Sequence, residues 1–258
     1  PKPRAEALVD GYAYPAQAGA RTGCPTRLAI GKIDKTLYAV GDRHWTRLGP
    51  SAPAPFERMS LGWRSAFGGE GHAMNPAGKG VAPIEVDGQR VHPLPNLENP
   101  QEPVTTVSSH PAPASFAAIP VPWPQRFRKA GTYDAQWQRE LAPGFARDID
   151  WTFFNMAPED QQQSAFFAPD EGFTLENMHP DKARIEGRLP NAIARVFITR
   201  VGAERDLVEV PMRIDTVRFF PHLERMVVSC RGVVPVGEDD ASDVACLLAA
   251  VEEPGDRK

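Results

Sequence analysis

Paired cysteines, long apolar runs and an excess of positive charge are all missing from this 258-residue chain. Its three cysteines, Cys24, Cys230 and Cys246, are odd in number and far apart. Neither a disulfide framework nor a Cys-x-x-Cys zinc site is suggested, and a reducing, cytoplasmic setting is the expectation. No stretch approaches the ~20 apolar residues of a membrane span, and the opening "PKPRAEALVD" lacks the apolar core of a secretory signal. Lys plus Arg is 29 against Asp plus Glu 33, a formal charge of -4. That balance argues against nucleic acid or an anionic membrane surface as the main partner. The histidines are scattered without an H-x-x-x-H or H-E-x-x-H pair, so neither metal nor cofactor is expected. Ser60, Ser65, Cys230 and Cys246 lack the G-x-S-x-G context of an activated nucleophile.

Proline and glycine are abundant instead, at 27 and 21 residues, which rules out long helices. "RLAIGKIDKTLYAV" reads as a hairpin with strands from Arg27 to Ile30 and Thr36 to Val40 and a turn around Asp34 and Lys35. Prolines recur from Ser51 to Pro124, so the elements there are short and the backbone finds its partners in turns. "GTYDAQWQREL" reads as a short helix capped by Thr132, with Asp134 in its first turn and Tyr133, Trp137 and Leu141 on one face. Trp151, Phe153 and Phe154 read as core, and a helical turn follows Pro158. Three Val- and Ile-rich runs within 194–236 read as an antiparallel meander, and "SDVACLLAAVEE" as an amphipathic helix over 243–253. The expected fold is mainly β: an antiparallel sandwich or distorted barrel with two or three short helices and long proline-rich loops. It forms one domain with a sub-boundary near residue 190.

"FGGEGHAMNPAGKG" invites a phosphate-loop reading, which fails on two counts. A Gly is required where Ala73 stands, and Lys79 is followed by Gly80 rather than Ser or Thr. Gly68, Gly69, Gly71, Gly78 and Gly80 then read as backbone devices for positive φ or close approach. Asp148, Asp150, Glu159 and Asp160 suit capping and arginine pairing better than acid/base work, since no histidine lies near them in sequence. Trp123, Phe127, Tyr133 and Trp137 are dense enough for either a satellite core or a recognition groove.

Five ordered blocks, "RSAFGGEGHAMNPAGKG", "PLPNLENP", "AGTYDAQWQ", "DIDWTFFNMAPEDQQ" and "RIDTVRFFPHLERMVVSCRG", resemble the domain-of-unknown-function 2169 family. The matching positions are Arg64, Ala66, Phe67, Gly68, Gly69, Asn75, Pro76, Gly78 and Gly80; Pro95, Asn96 and Leu97; Gly131, Thr132, Tyr133, Asp134 and Trp137; Asp150, Phe154, Ala157, Pro158, Asp160 and Gln161; and Asp215 and Thr216. The family is associated with type VI secretion clusters. The resemblance implies a non-enzymatic cytoplasmic adaptor or chaperone that binds a toxic effector and helps load it onto a VgrG-type spike or PAAR-type tip. The client would be held through aromatic-lined grooves, extended backbone and strand addition at a sheet edge. No catalytic residue is implied. Two departures stand out: a leading β-rich segment of the family is expected but absent here, and Cys230 replaces an aromatic before Arg231. The rival readings are a β-scaffold hydrolase acting through Asp150, Asp160 and a nearby histidine, and a structural module of the secretion assembly.

Overall fold

The computed structural model describes residues 2–15, 21–200, 207–234 and 244–253. Three sheets carry the architecture. Along the chain their strands are β1 (Ala5–Val9), β2 (Gly23–Ile30), β3 (Ile33–Val40), β4 (Leu97–Glu98), β5 (Gln162–Gln163), β6 (Gly172–Glu176) and β7 (Arg184–Arg188). There follow β8 (Ile193–Arg200), β9 (Val208–Val210), β10 (Arg213–Phe220), β11 (Arg225–Arg231) and β12 (Val244–Glu252). Two short helices, α1 (Pro124–Phe127) and α2 (Ala135–Glu140), lie in the long connection between β4 and β5. The protein is therefore mainly β, as its sequence implies.

One sheet has the order β5-β1-β10-β11 and a second the order β4-β3-β2-β6-β7. Strand β1 is buried at all five positions and runs parallel to β10, with Glu6 opposite Thr216 and Val9 opposite Phe219. A strand covered on both faces reads as a continuous rather than alternating apolar run, which is what "AEALV" largely supplies. The second sheet alternates. Cys24, Thr26, Leu28 and Ile30 of β2, and Ile33, Lys35, Leu37 and Ala39 of β3, point inward. The two sheets share one core containing Ala5, Ala7, Val9, Leu28, Leu37, Phe116, Leu175, Val217 and Phe219. Phe173 of the second sheet meets Phe219 of the first at 4.9 Å between ring centroids.

Four local expectations need correction. The β2–β3 turn is Gly31 and Lys32, with Ile30 opposite Ile33, because Gly31 takes φ +58° at no steric cost. Asp34 and Lys35 therefore lie inside β3. The 194–236 region is not one meander: Pro211 and Met212 separate β9 from β10, so β9 pairs with β8 while β10 and β11 join β1 in another sheet. A proline ends a ladder because it has no N–H to donate. The segment expected as a helix at 243–253 contains strand β12, paired antiparallel with β8 in a third sheet of order β9-β8-β12; Ser242 and Asp243 lie outside the described residues. "VACLLAAV" satisfies helical and strand patterns alike, and pairing with β8 decides between them. Finally, Asp134, not Thr132, caps α2: its Oδ1 accepts from the backbone N–H of Gln136 and Trp137, both at 2.9 Å.

Candidate protein-binding groove

The glycine-rich loop is a folded brace. Phe67–Gly68 and Lys79–Gly80 form a two-residue parallel ladder, and Asn75 sits fully buried between its arms. The Asn75 side-chain amide donates to the carbonyls of Trp63 (2.8 Å) and Phe67 (2.9 Å), while the Asn75 backbone carbonyl accepts from Gly69 N–H at 2.9 Å. A Cβ on Gly68, whose φ is +149°, would stand 2.2 Å from the Asn75 carbonyl oxygen. Lys79 closes the brace by donating to Asp42 (2.8 Å) and to the buried Asn96 (2.7 Å). The Lys79 hydrogen bond holds the Asp42 carboxyl below the usual carboxylate range. Asn96 in turn donates to the Val40 carbonyl at 2.9 Å, tying the loop to β3. Lys79 thus has two fixed protein partners, the opposite of a phosphate-seeking lysine.

"DIDWTFFNMAPEDQQ" is a second brace, wrapped around β1. Glu6 is fully buried; it pairs with Lys2, and its other oxygen accepts from Asn155 Nδ2 (3.0 Å), Met156 N–H (2.8 Å) and Ala157 N–H (3.1 Å). Gln161 donates to the carbonyls of Ala7 (2.8 Å) and Phe116 (3.0 Å) and accepts from Lys35 at 2.9 Å. Lys35 also donates to Ser115 O (2.8 Å) and Asp160 (2.9 Å), so all three ammonium protons are used. Burial pulls the Lys35 pKa down, and Asp160 opposes that shift. Asp215 and Thr216 belong to the same buried polar chain, Asp215 pairing with Arg231 and Thr216 accepting from Lys2 at 2.6 Å.

Between the two braces lies an open groove of about 470 Å³. Trp63, Asn155 and Ala157 line it together with Ala112, Pro113 and Ala114 of the proline-rich segment. Met74 of the glycine loop, Gln125, Arg126 and Lys129 of the α1 region, and Glu159 and Asp160 complete it. Pro124 opens α1, where its missing N–H costs nothing. Gln125 then donates to Met74 O at 2.8 Å, joining the glycine loop to the helix. Arg126 donates to Phe153 O and Ile119 O, both at 2.9 Å, and lies over the Phe153 ring. Burial lowers the Arg126 pKa and the charge of Glu6 offsets it.

Beyond Arg126 the surface turns aromatic. Phe145 is 54% exposed and Trp151 41%, with centroids 5.4 Å apart, and Phe145 also meets the half-buried Phe154 at 5.6 Å. Trp151, Phe153 and Phe154 were expected in the core; Trp151 is exposed and Phe153 and Phe154 are half-buried, because the 3₁₀ turn they form is only four residues long and has no buried face. Tyr133 (47% exposed) packs edge-on against Trp137 at 4.8 Å, and Trp137 donates to Gly144 O at 2.9 Å. Trp123, half-buried, packs against Trp63 at 5.4 Å. These rings form a surface, not a satellite core.

The sequence-derived positions divide accordingly. Phe67, Gly68, Gly69, Asn75, Asn96 and Gln161 are buried supports, with Gly78 and Gly80 half-buried beside them. Gly80 faces the Phe67 ring so closely that a Cβ would approach to 2.8 Å. Arg64 and Pro76 are exposed, and Arg64 has no hydrogen bond or ion pair among the described residues. Asp134 and Asp150 cap turns. Hydrogen bonds from Thr132 and Thr152 hold Asp148 and Asp150, respectively, below the usual carboxylate range. A general acid needs the opposite shift, so neither suits that role. Asp160 lines the groove and Asp150 does not, so the two are not brought together there. Among the described residues no group of three or more His, Cys, Asp or Glu side chains is placed to hold a metal ion. No helix is long and apolar enough to cross a membrane, again among the described residues.

Sequence reasoning missed Lys35, Trp63, Met74 and Arg126. The inward parity of Lys35 in β3 was the available signal, since a lysine between Ile33 and Leu37 must find buried acceptors.

No curated protein and no solved structure matches the chain. A family model described as an uncharacterized protein conserved in bacteria matches residues 1–231, nearly the whole chain, and the protein belongs to that family, DUF2169.

Proposed function

We propose that the protein is an adaptor or chaperone of a type VI secretion system, which binds a toxic effector and helps load it onto a VgrG-type spike or PAAR-type tip. It performs no bond-making, and it works in the cytoplasm. The observation that carries this reading is the cluster of the exposed Phe145 and Trp151 rings, backed by the half-buried Phe154, beside an open groove whose charged residues are largely committed to internal partners. Rings of this kind on a surface are the usual anchors of protein interfaces. The resemblance described above supplies the secretion context.

The braces suit such a role. Asn96, Gln161 and Glu6 hold the groove walls to the core sheets, so binding would cost little ordering of the protein itself. An extended client segment would lay apolar side chains against Trp63, Met74 and the aromatic cluster. The test is co-expression with neighbouring toxin and spike genes, followed by co-purification. Capture of an effector by the wild-type chain, weakened about 30-fold by Trp151→Ala at ~2 kcal/mol per anchor, is the expected result. Capture of a spike protein but never of an effector would assign a purely structural role instead.

A further inference from the structure

Among the described residues, the third sheet ends in a strand without the usual protection. Free sheet edges are normally kept short, bulged or charged, because a row of unpaired N–H and C=O groups recruits other strands. The other sheet ends obey this rule: β4 and β5 have two residues each, β9 has three with Glu209 at its centre, and β7 reads Arg-Ile-Glu-Gly-Arg. Strand β11 begins and ends on arginine. Strand β12 has nine residues, no proline, and no charge before Glu252. Among the described residues it pairs with β8 alone. Leu247 is 63% exposed, Leu248 54% and Val251 66%, so both of its faces are open at the edge.

We propose that β12 pairs antiparallel with β12 of a second copy of this chain, joining two three-stranded sheets into one of six. The sequence suits itself as a partner. A two-fold axis normal to the sheet keeps every side chain on its own face, so opposed residues must have the same parity. Centring the axis on Leu248 sets Leu248 against its copy, Leu247 against Ala249 and Val251 against Ala245. No charge opposes a charge anywhere in the pairing. Glu252, the one ionised residue, falls opposite Val244 and is already held by Arg195 at 3.0 Å. A foreign strand would need to match this neutral pattern, whereas the second copy supplies it automatically. The inference is independent of the groove and of the secretion role.

Sedimentation velocity on the wild-type chain should show a concentration-dependent dimer. Leu248→Lys places two ammonium groups on the axis and should return the chain to monomer while leaving the protomer folded, with the wild-type circular dichroism spectrum, because the side chain is exposed in the protomer. Ala250→Lys, also exposed, should do the same and guards against a local effect at one position. Leu248→Cys should give an oxidised dimer linked 248 to 248 by peptide mass mapping, since opposed Cα atoms about 4.5–5.5 Å apart fit a disulfide. A wild-type monomer at every soluble concentration, a dimer that survives both lysine variants, or failure of the 248 to 248 linkage would each overturn the proposal.

Discussion

Replacing Gly68 by alanine tests whether the glycine loop is a packed brace or a flexible strap. The added Cβ would stand 2.2 Å from the Asn75 carbonyl oxygen, against the 3.3 Å or more of ordinary carbon–oxygen contact, so something must move by about 1 Å. The nearest neighbours are the backbone and Cβ of Asn75, which two amide hydrogen bonds hold in place. Alanine at φ +149° adds roughly 1–3 kcal/mol of backbone strain. Pulling Asn75 away from Gly69 N–H orphans a buried donor at roughly 1–3 kcal/mol more. Gly68→Ala should therefore cost about 3–5 kcal/mol, which lowers the melting temperature by about 10 °C in a chain of this size. Gly71 is the control. Its φ is +80° and nothing lies within 4 Å of a Cβ there, so only the left-handed penalty of about 1–2 kcal/mol applies. Urea melts followed by circular dichroism measure both. Equal losses within about 0.5 kcal/mol would refute the packing argument.

Further expectations follow from the same contacts. Phe145→Ala and Trp151→Ala should leave the melting temperature within about 2 °C of wild type, because both rings are exposed and surface changes seldom exceed about 0.5 kcal/mol, while weakening partner capture. The Cys24 thiol, pushed up to about 11 by burial, should resist a thiol reagent at pH 8 in the native protein and react once urea unfolds it, as read by peptide mapping. Asp42 has a folded-state pKa below its unfolded value, so its bond to Lys79 stabilises fully above the unfolded pKa and is lost as pH falls through the folded one. The melting-temperature gap between wild type and Asp42→Asn should then close as pH drops from about 5 to about 2; a gap that persists at the acid end would exclude this ion pair as its source.

The hairpin of β2 and β3 was legible because strand composition is a local signal, but its turn was not: the inward set continues in every second residue through Ile33 and Lys35, where a turn was expected. Nor were pairing partners. That β10 lies beside β1 rather than beside β9 depends on Pro211 and on a surface supplied by the opposite end of the chain. The motif residues were also legible as a set but not in their roles. Asn75, Asn96 and Gln161 look like surface amides, and only the fold shows each of them satisfying buried carbonyls. Aromatic content misled in the other direction: burial is the usual fate of Trp and Phe, but a four-residue 3₁₀ turn offers no inner face on which to hide Trp151.

The parallel seating of β1 beside β10 bears on how the molecule is made. The ribosome delivers β1 first, yet its neighbour at Thr216 to Phe219 emerges about 200 residues later. At typical elongation speeds that is a wait of roughly ten seconds or more, during which a strand destined to be covered on both sides lacks its parallel neighbour. Final closure of this sheet thus waits until Phe220 has left the ribosome, and nascent chains cut short of Phe220 should be targets for holdases and proteases.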